Sequence, residues 1–137
     1  MQAQGFYGDY VVDFLEDGRR VRLLSPLRYV DKAGNAHDAP AGFVSDGGTI
    51  PRALWPIVGS PHTGIGRRAY PVHDVECEAA NAYVGWTYAT MRASADLTLR
   101  EMLEYLGVER WRIRTIYAGV RAQAMWTRLF GRRKNNK

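Results

Sequence analysis

Residues 49–66, TIPRALWPIVGSPHTGIG, hold three prolines and three glycines, and no long helix or strand can run through them. Proline lacks a backbone N–H and its ring clashes with the preceding helical turn. Pro51 and Pro56 therefore allow at most one turn over PRALW, with Pro51 at its first position. The segment divides a chain of 137 residues into two halves that must be read separately.

The half before it reads as strands. YVVDFL and RRVRLLSPLRYV are short and rich in Val, Leu and Tyr, and Glu16-Asp17-Gly18 between them is a hairpin signal. A second turn falls at Gly34-Asn35, and Phe43-Val44 suggests a short strand ending at a glycine pair. The half after it reads as helices. One is expected from Arg67 or Pro71 through the early eighties. A second is expected from Ser94, as N-cap, to Gly107, as C-cap. A third is expected over ERWRIRTIYAGVRAQAMWTRLF, where Ile113, Ile116, Tyr117, Val120, Ala124 and then Trp126 or Leu129 recur at helical spacing. The layout predicts an α+β fold, with small antiparallel hairpins followed by a three-helix C-terminal half. A single domain over 1–130 is expected, able to bury roughly two thirds of the surface its unfolded chain exposes. Residues 131–137, GRRKNNK, are expected to form a basic, disordered tail.

Charge separates the halves again. Residues 1–99 balance to −2, whereas residues 100–137 balance to +7, and sixteen of the nineteen basic residues are arginines. The C-terminal segment suits nucleic acid, an anionic lipid surface or an acidic protein, unless it is only a solvated helix face. One cysteine, Cys77, excludes an internal disulfide. No apolar run approaches the ~18 residues of a membrane span. The N-terminus lacks the basic and apolar blocks of a signal peptide, so the expected location is the cytoplasm or a particle assembled there.

Within the first long helix, YPVHDVECEAANAY places His73 beside Asp74. His73 and Cys77 share one helical face, and Asp74 and Glu78 the adjacent one. Asp96 would open the apolar face formed by Leu99, Leu103 and Leu106. A carboxylate there needs a partner, and His73 is available. Such a pair fixes the imidazole tautomer and leaves its second nitrogen to take a proton from water. Asp74 would hold a divalent cation, calcium before zinc, with Asp46 and carbonyls of Ser45-Asp46-Gly47-Gly48-Thr49 as further ligands. Three plainer readings stand beside this one. A His-Asp dipeptide arises by chance, Asp96 would favour the N-terminus of its own helix, and the glycine pair would be only a turn.

Other motifs carry less. Gly59-Ser-Pro-His-Thr-Gly64 lacks the Lys-Ser/Thr of a phosphate loop. His37 and His62 have no ligand spacing and are expected in loops. Cys77 reads as a buried, inert thiol. Trp111 and Trp126 flank the arginines of the last helix, where they would stack on bases, anchor at a lipid interface or simply pack in the core.

The runs AGFVSDGGTIPRALWP, GRRAYPVHDVEC and SADLTLREMLEYLGVERWRIRTIYAGVR resemble a phage and prophage family called domain of unknown function 1353. Its marks are Gly-Phe-Val-x-Asp leading to Ile-Pro-Arg, a His-Asp pair, an Ala-Asp opening the next helix and a Gly-Val before the last. The resemblance covers about Phe6 to Val120 and implies a phage or prophage origin, in the host cytoplasm or the virion. The two helices around His73 and Asp96 are also similar in pattern to those of secreted phospholipase A2. That resemblance implies His73 as base, Asp74 as calcium ligand and Asp96 as the group orienting the histidine. The chain departs from it in having no disulfide, in reading Val75-Glu76-Cys77 where a bracing tyrosine is common, and in a calcium loop poorer in glycine.

Two functions from different classes follow. One is a small metal-assisted ester hydrolase using His73, Asp96, Asp74 and Asp46, brought to an anionic surface by its last helix. The other is a non-catalytic virion, tail or host-interaction protein. There the His-Asp/Asp set is a structural network, and Arg110, Arg112, Arg114, Arg121 and Arg128, with Trp111, make the contact. Nucleic-acid binding through the same arginines is a third option. A His73–Asp96 bond beside an open cleft favours chemistry; the same bond sealed in the core favours architecture.

Overall fold

The structure is a computed structural model that describes residues 2–46, 50 and 52–130. The tail expected at 131–137 lies outside the described residues. Six short strands come first: β1 Gly5–Tyr7, β2 Val12–Phe14, β3 Val21–Leu23, β4 Leu27–Val30, β5 Ala36–Ala39 and β6 Val44–Ser45. They form two antiparallel three-stranded sheets, ordered β1-β4-β5 and β2-β3-β6. The helices follow: a 3-10 turn at Arg52–Leu54, α1 Trp55–Val58, α2 Ala69–Ala80, α3 Gly85–Tyr105 and α4 Arg110–Phe130. The α+β expectation holds, and among the described residues of the proline-rich segment the helical structure is limited to these two short turns.

Local chemistry sets the strands. Asp17 accepts the N–H groups of Arg19 and Arg20, and Gly18 turns back with positive φ, so β2 pairs with β3. Asp31 accepts the N–H groups of Ala33 and Asn35 in the same way, closing the turn from β4 to β5. RRVRLLSPLRYV is not one strand. It breaks at Ser25-Pro26, where proline cannot donate to a ladder, and the chain passes from one sheet to the other. Gly8 sits beside this crossing at φ +93°, and a Cβ there would meet the Pro26 carbonyl oxygen at 2.3 Å. In β3, Val21 and Leu23 point inward and Arg22 outward, the period-two pattern of a half-buried strand.

The core lies between the strands and the helices. Leu23, Leu27, Tyr29 and Ala39 meet Val72 of α2, Leu99, Met102 and Leu103 of α3, and Ile113, Ile116 and Val120 of α4. Tyr29 fastens β4 to α3, since its hydroxyl donates to Glu101 while its ring lies 4.8 Å from Phe6. α2 packs on β4, β5 and β6 with one flank and on α3 with the other, and α3 in turn packs on α4.

Three expectations need correction. α3 begins at Gly85, not Ser94, so Ser94 and Asp96 lie inside the helix. Val84 is extended and Gly85 enters with φ +60°, and no side chain caps this end, so the usual capping signal is missing. Trp126 and Leu129 continue the apolar spacing of α4 but are 65% and 68% exposed. His37 is not a loop residue, whereas His62 lies in the turn between α1 and α2 as expected. His37 is in β5, and His62 is buried with its ring bonded to the Arg19 carbonyl.

Candidate functional site

Asp96 lies three turns into α3, too far inside the helix for its N-terminus to stabilise a carboxylate. It is 0% exposed, so its charge must be met by side chains. Three supply this. His73 of α2 donates from Nε2 to Asp96 Oδ1 at 2.7 Å. Arg92, one turn earlier in α3, approaches the same oxygen at 3.4 Å, and its Nη1 and Nη2 reach the Tyr88 hydroxyl and the Val120 carbonyl at 3.3 and 3.5 Å. Arg121 of α4 donates to Oδ2 at 2.8 Å. Burial by itself would raise the Asp96 carboxyl. The bond from His73, the charge of Arg92 and the bond from Arg121 outweigh it and hold the group below its usual range.

The imidazole is as deeply placed, at 1% exposure. A carboxylate only accepts, so Nε2 carries the proton in this bond. Cys77, one turn along α2, sets its sulfur 3.4 Å from Nε2 and 3.8 Å from Nδ1. Burial pushes the Cys77 thiol up to about 12, which keeps it protonated and unreactive.

Two kinds of chemistry can be tested on this arrangement. In a base dyad, the carboxylate compensates the positive charge that the imidazole gains as it takes a proton. Asp96 already faces two guanidinium groups, so a protonated His73 would be a third cation around one carboxylate. His73, Cys77 and Asp96 also offer metal-ligand atoms within 4.8 Å of one another. A divalent ion there would sit against the same two guanidinium groups, beside a thiol that resists ionisation. These residues fit an ion network better than either a base or a metal cage.

Asp74 faces another way. It is half-buried and accepts the hydroxyl of Ser45 at the end of β6, and the exposed Asp46 follows directly. Asp74 and Ser45 thus meet where α2 packs on β6, with Asp46 next in sequence. Gly47, Gly48 and Thr49, whose carbonyls were expected to complete a cation site, lie outside the described residues.

The arginines of α4 divide into two groups. Arg110 and Arg114 are exposed, one turn apart, and line a groove of about 590 Å³ with Arg100, Glu104 and Tyr117. Arg100 pairs with Glu104 at 3.9 Å and lies over the Tyr117 ring, whereas Arg110 and Arg114 make no ion pair among the described residues. Arg112 pairs with Glu109 and covers Trp111, which is 45% exposed. Arg121, expected with the outward set, turns inward to Asp96.

Sequence reasoning passed over Arg92, although it stands four residues before Asp96 and would have been visible had α3 been extended upstream. It also missed a second histidine centre. His37 donates to Asp31 through Nε2 at 2.9 Å and to Glu76 of α2 through Nδ1. The bond to Glu76 outweighs desolvation and, with Asp31, raises the imidazole to about 9.

Comparison with known proteins adds a family but no chemistry. A family model described as "Protein of unknown function (DUF1353)" matches residues 21–120. The chain is 28% identical over 129 residues to "Uncharacterized protein y4jT" of Sinorhizobium fredii (strain NBRC 101917 / NGR234), covering 87% of this chain and 35% of that protein. It therefore spans about a third of the length of this curated relative. No solved structure matches the chain.

Proposed function

We propose, for a chain that belongs to the DUF1353 family of proteins of unknown function, that it is a non-catalytic binding module whose last helix is its recognition element. His73, Asp96, Arg92 and Arg121 are the clamp that fixes this helix. The observation carrying this reading is that Asp96, shut from water, takes a hydrogen bond from α2 and another from α4. A network of this kind holds elements in register, and its charges are too well matched for proton transfer. Outside the clamp, α4 and the residues after it carry eight lysines and arginines and no acid, so the partner is anionic. The phage or prophage setting belongs to the same reading, as a virion or tail component or as a binder of a host partner. Fixed stoichiometry in purified particles would support the former.

A second reading is supported by a different observation. His73 is bonded to a carboxylate, as the histidine of a hydrolytic base pair would be, and Asp74, next to it in sequence, is bonded to Ser45 beside Asp46. That is the metal-assisted ester hydrolase of the phospholipase A2 pattern, with calcium as the ion.

One experiment separates them. The full chain is melted with and without calcium or zinc and assayed on chromogenic esters. The binding-module reading expects no ion-dependent rise in melting temperature and no turnover. A calcium-dependent rise together with turnover, both lost in Asp74→Asn, would replace it with the hydrolase.

A further inference from the structure

One end of the helical layer carries an apolar surface that the core does not use. Val84, Trp86, Met125, Trp126, Leu129 and Phe130 are each between 61% and 77% exposed. They come from the N-cap and first turn of α3 and from the last turns of α4. The two sets form one patch. The Arg128 guanidinium lies over the Trp86 ring at 5.3 Å, and the Trp126 and Phe130 rings meet at 4.3 Å, tilted by 39°. Isolated exposed apolar residues are ordinary, but a contiguous aromatic cluster of this kind marks a contact surface.

We infer that this tip docks on an anionic lipid surface. The inference deepens the binding-module reading and rests on it. Charge selects the occupant. From Arg110 to the C-terminus the sequence has nine cations and no acid, and after Phe130 it continues with Gly131-Arg132-Arg133-Lys134. A second copy would place the same cationic surface against itself, since a two-fold interface pairs one patch with its own image. Nucleic acid would satisfy the cations but gives no burial to Val84, Met125 and Leu129. Trp126 and Trp86 each already carry a neighbour, Phe130 and Arg128, on one side of the ring. A bilayer interface satisfies every member. Tryptophan and phenylalanine settle at headgroup depth, the aliphatic side chains enter the acyl boundary, and arginines keep their heads among the phosphates. Apolar insertion and basic charge are the two signals that stable attachment without a span requires.

The test uses the full chain with vesicles of phosphatidylcholine alone or mixed with phosphatidylglycerol. Cosedimentation and tryptophan emission are the readouts. The expected result is binding to the mixed vesicles with blue-shifted emission, weakened roughly tenfold or more in Trp126→Ala/Phe130→Ala and also weakened in Arg128→Glu. These side chains are exposed, so an unchanged melting curve is expected alongside. Absence of binding to mixed vesicles overturns the inference, as does a double variant that binds as tightly as the original. Preference for polyglutamate or single-stranded DNA over vesicles overturns the lipid assignment and leaves the binding module standing. Calcium-dependent hydrolysis of the bound phospholipid upholds the lipid contact and overturns the non-catalytic reading.

Discussion

Arg121 of α4 donates to Oδ2 of Asp96 of α3 at 2.8 Å, so the last helix is tied to the fold through a carboxylate that water does not reach. Removing that carboxylate leaves Arg92, 6% exposed, and Arg121 facing one another without compensation. Asp96→Asn is expected to cost about 3–5 kcal/mol, the usual penalty for breaking a buried ion pair from one side. Arg121 is itself 35% exposed, so Arg121→Ala should cost less, about 1–2 kcal/mol. Urea unfolding of both variants checks the order.

The parts of this network differed in how far the sequence disclosed them. His73 and Asp96 were identifiable because a carboxylate on an apolar helix face needs a partner, and the neighbouring helix has a histidine. Arg121 was not, because a contact across 25 residues depends on how α4 crosses α3. The start of α3 was misread because Ser94 resembles an N-cap, while the true start at Gly85 has no capping side chain. Trp126 and Leu129 follow the helical period that marks a core face. Periodicity reports a stripe and not the length of neighbouring structure available to cover it, and both residues lie exposed near the end of α4.

His37 gives the fold a pH dependence of its own. Its ordinary value of 6.5 is raised to about 9, first by Glu76 and then, against desolvation, by Asp31. A raised value means that the stabilisation is complete below about 6.5 and is lost as pH climbs through about 9. Asp31 is held below its usual range despite burial, by His37 and the Asn35 N–H, so its share is lost instead as the solution turns acid. Melting temperatures across the alkaline range should fall in the original chain, and His37→Gln should flatten that decline while lowering stability at neutral pH.

Cys77 should behave as a closed thiol. With its value pushed to about 12 by burial, it should label with iodoacetamide far more slowly in the native protein than in urea. Rapid native labelling at neutral pH would place the sulfur in a more open and more electropositive setting than α2 provides.

The most direct test of the central claim is the urea midpoint of His73→Ala, measured with the ester assay on the same sample. If His73 serves to join α2 to α3 through Asp96, the midpoint falls by the equivalent of at least ~2 kcal/mol and there is no turnover to lose. If the midpoint is unchanged while a measurable hydrolysis disappears, the imidazole is a catalytic base and the account given for the network is wrong.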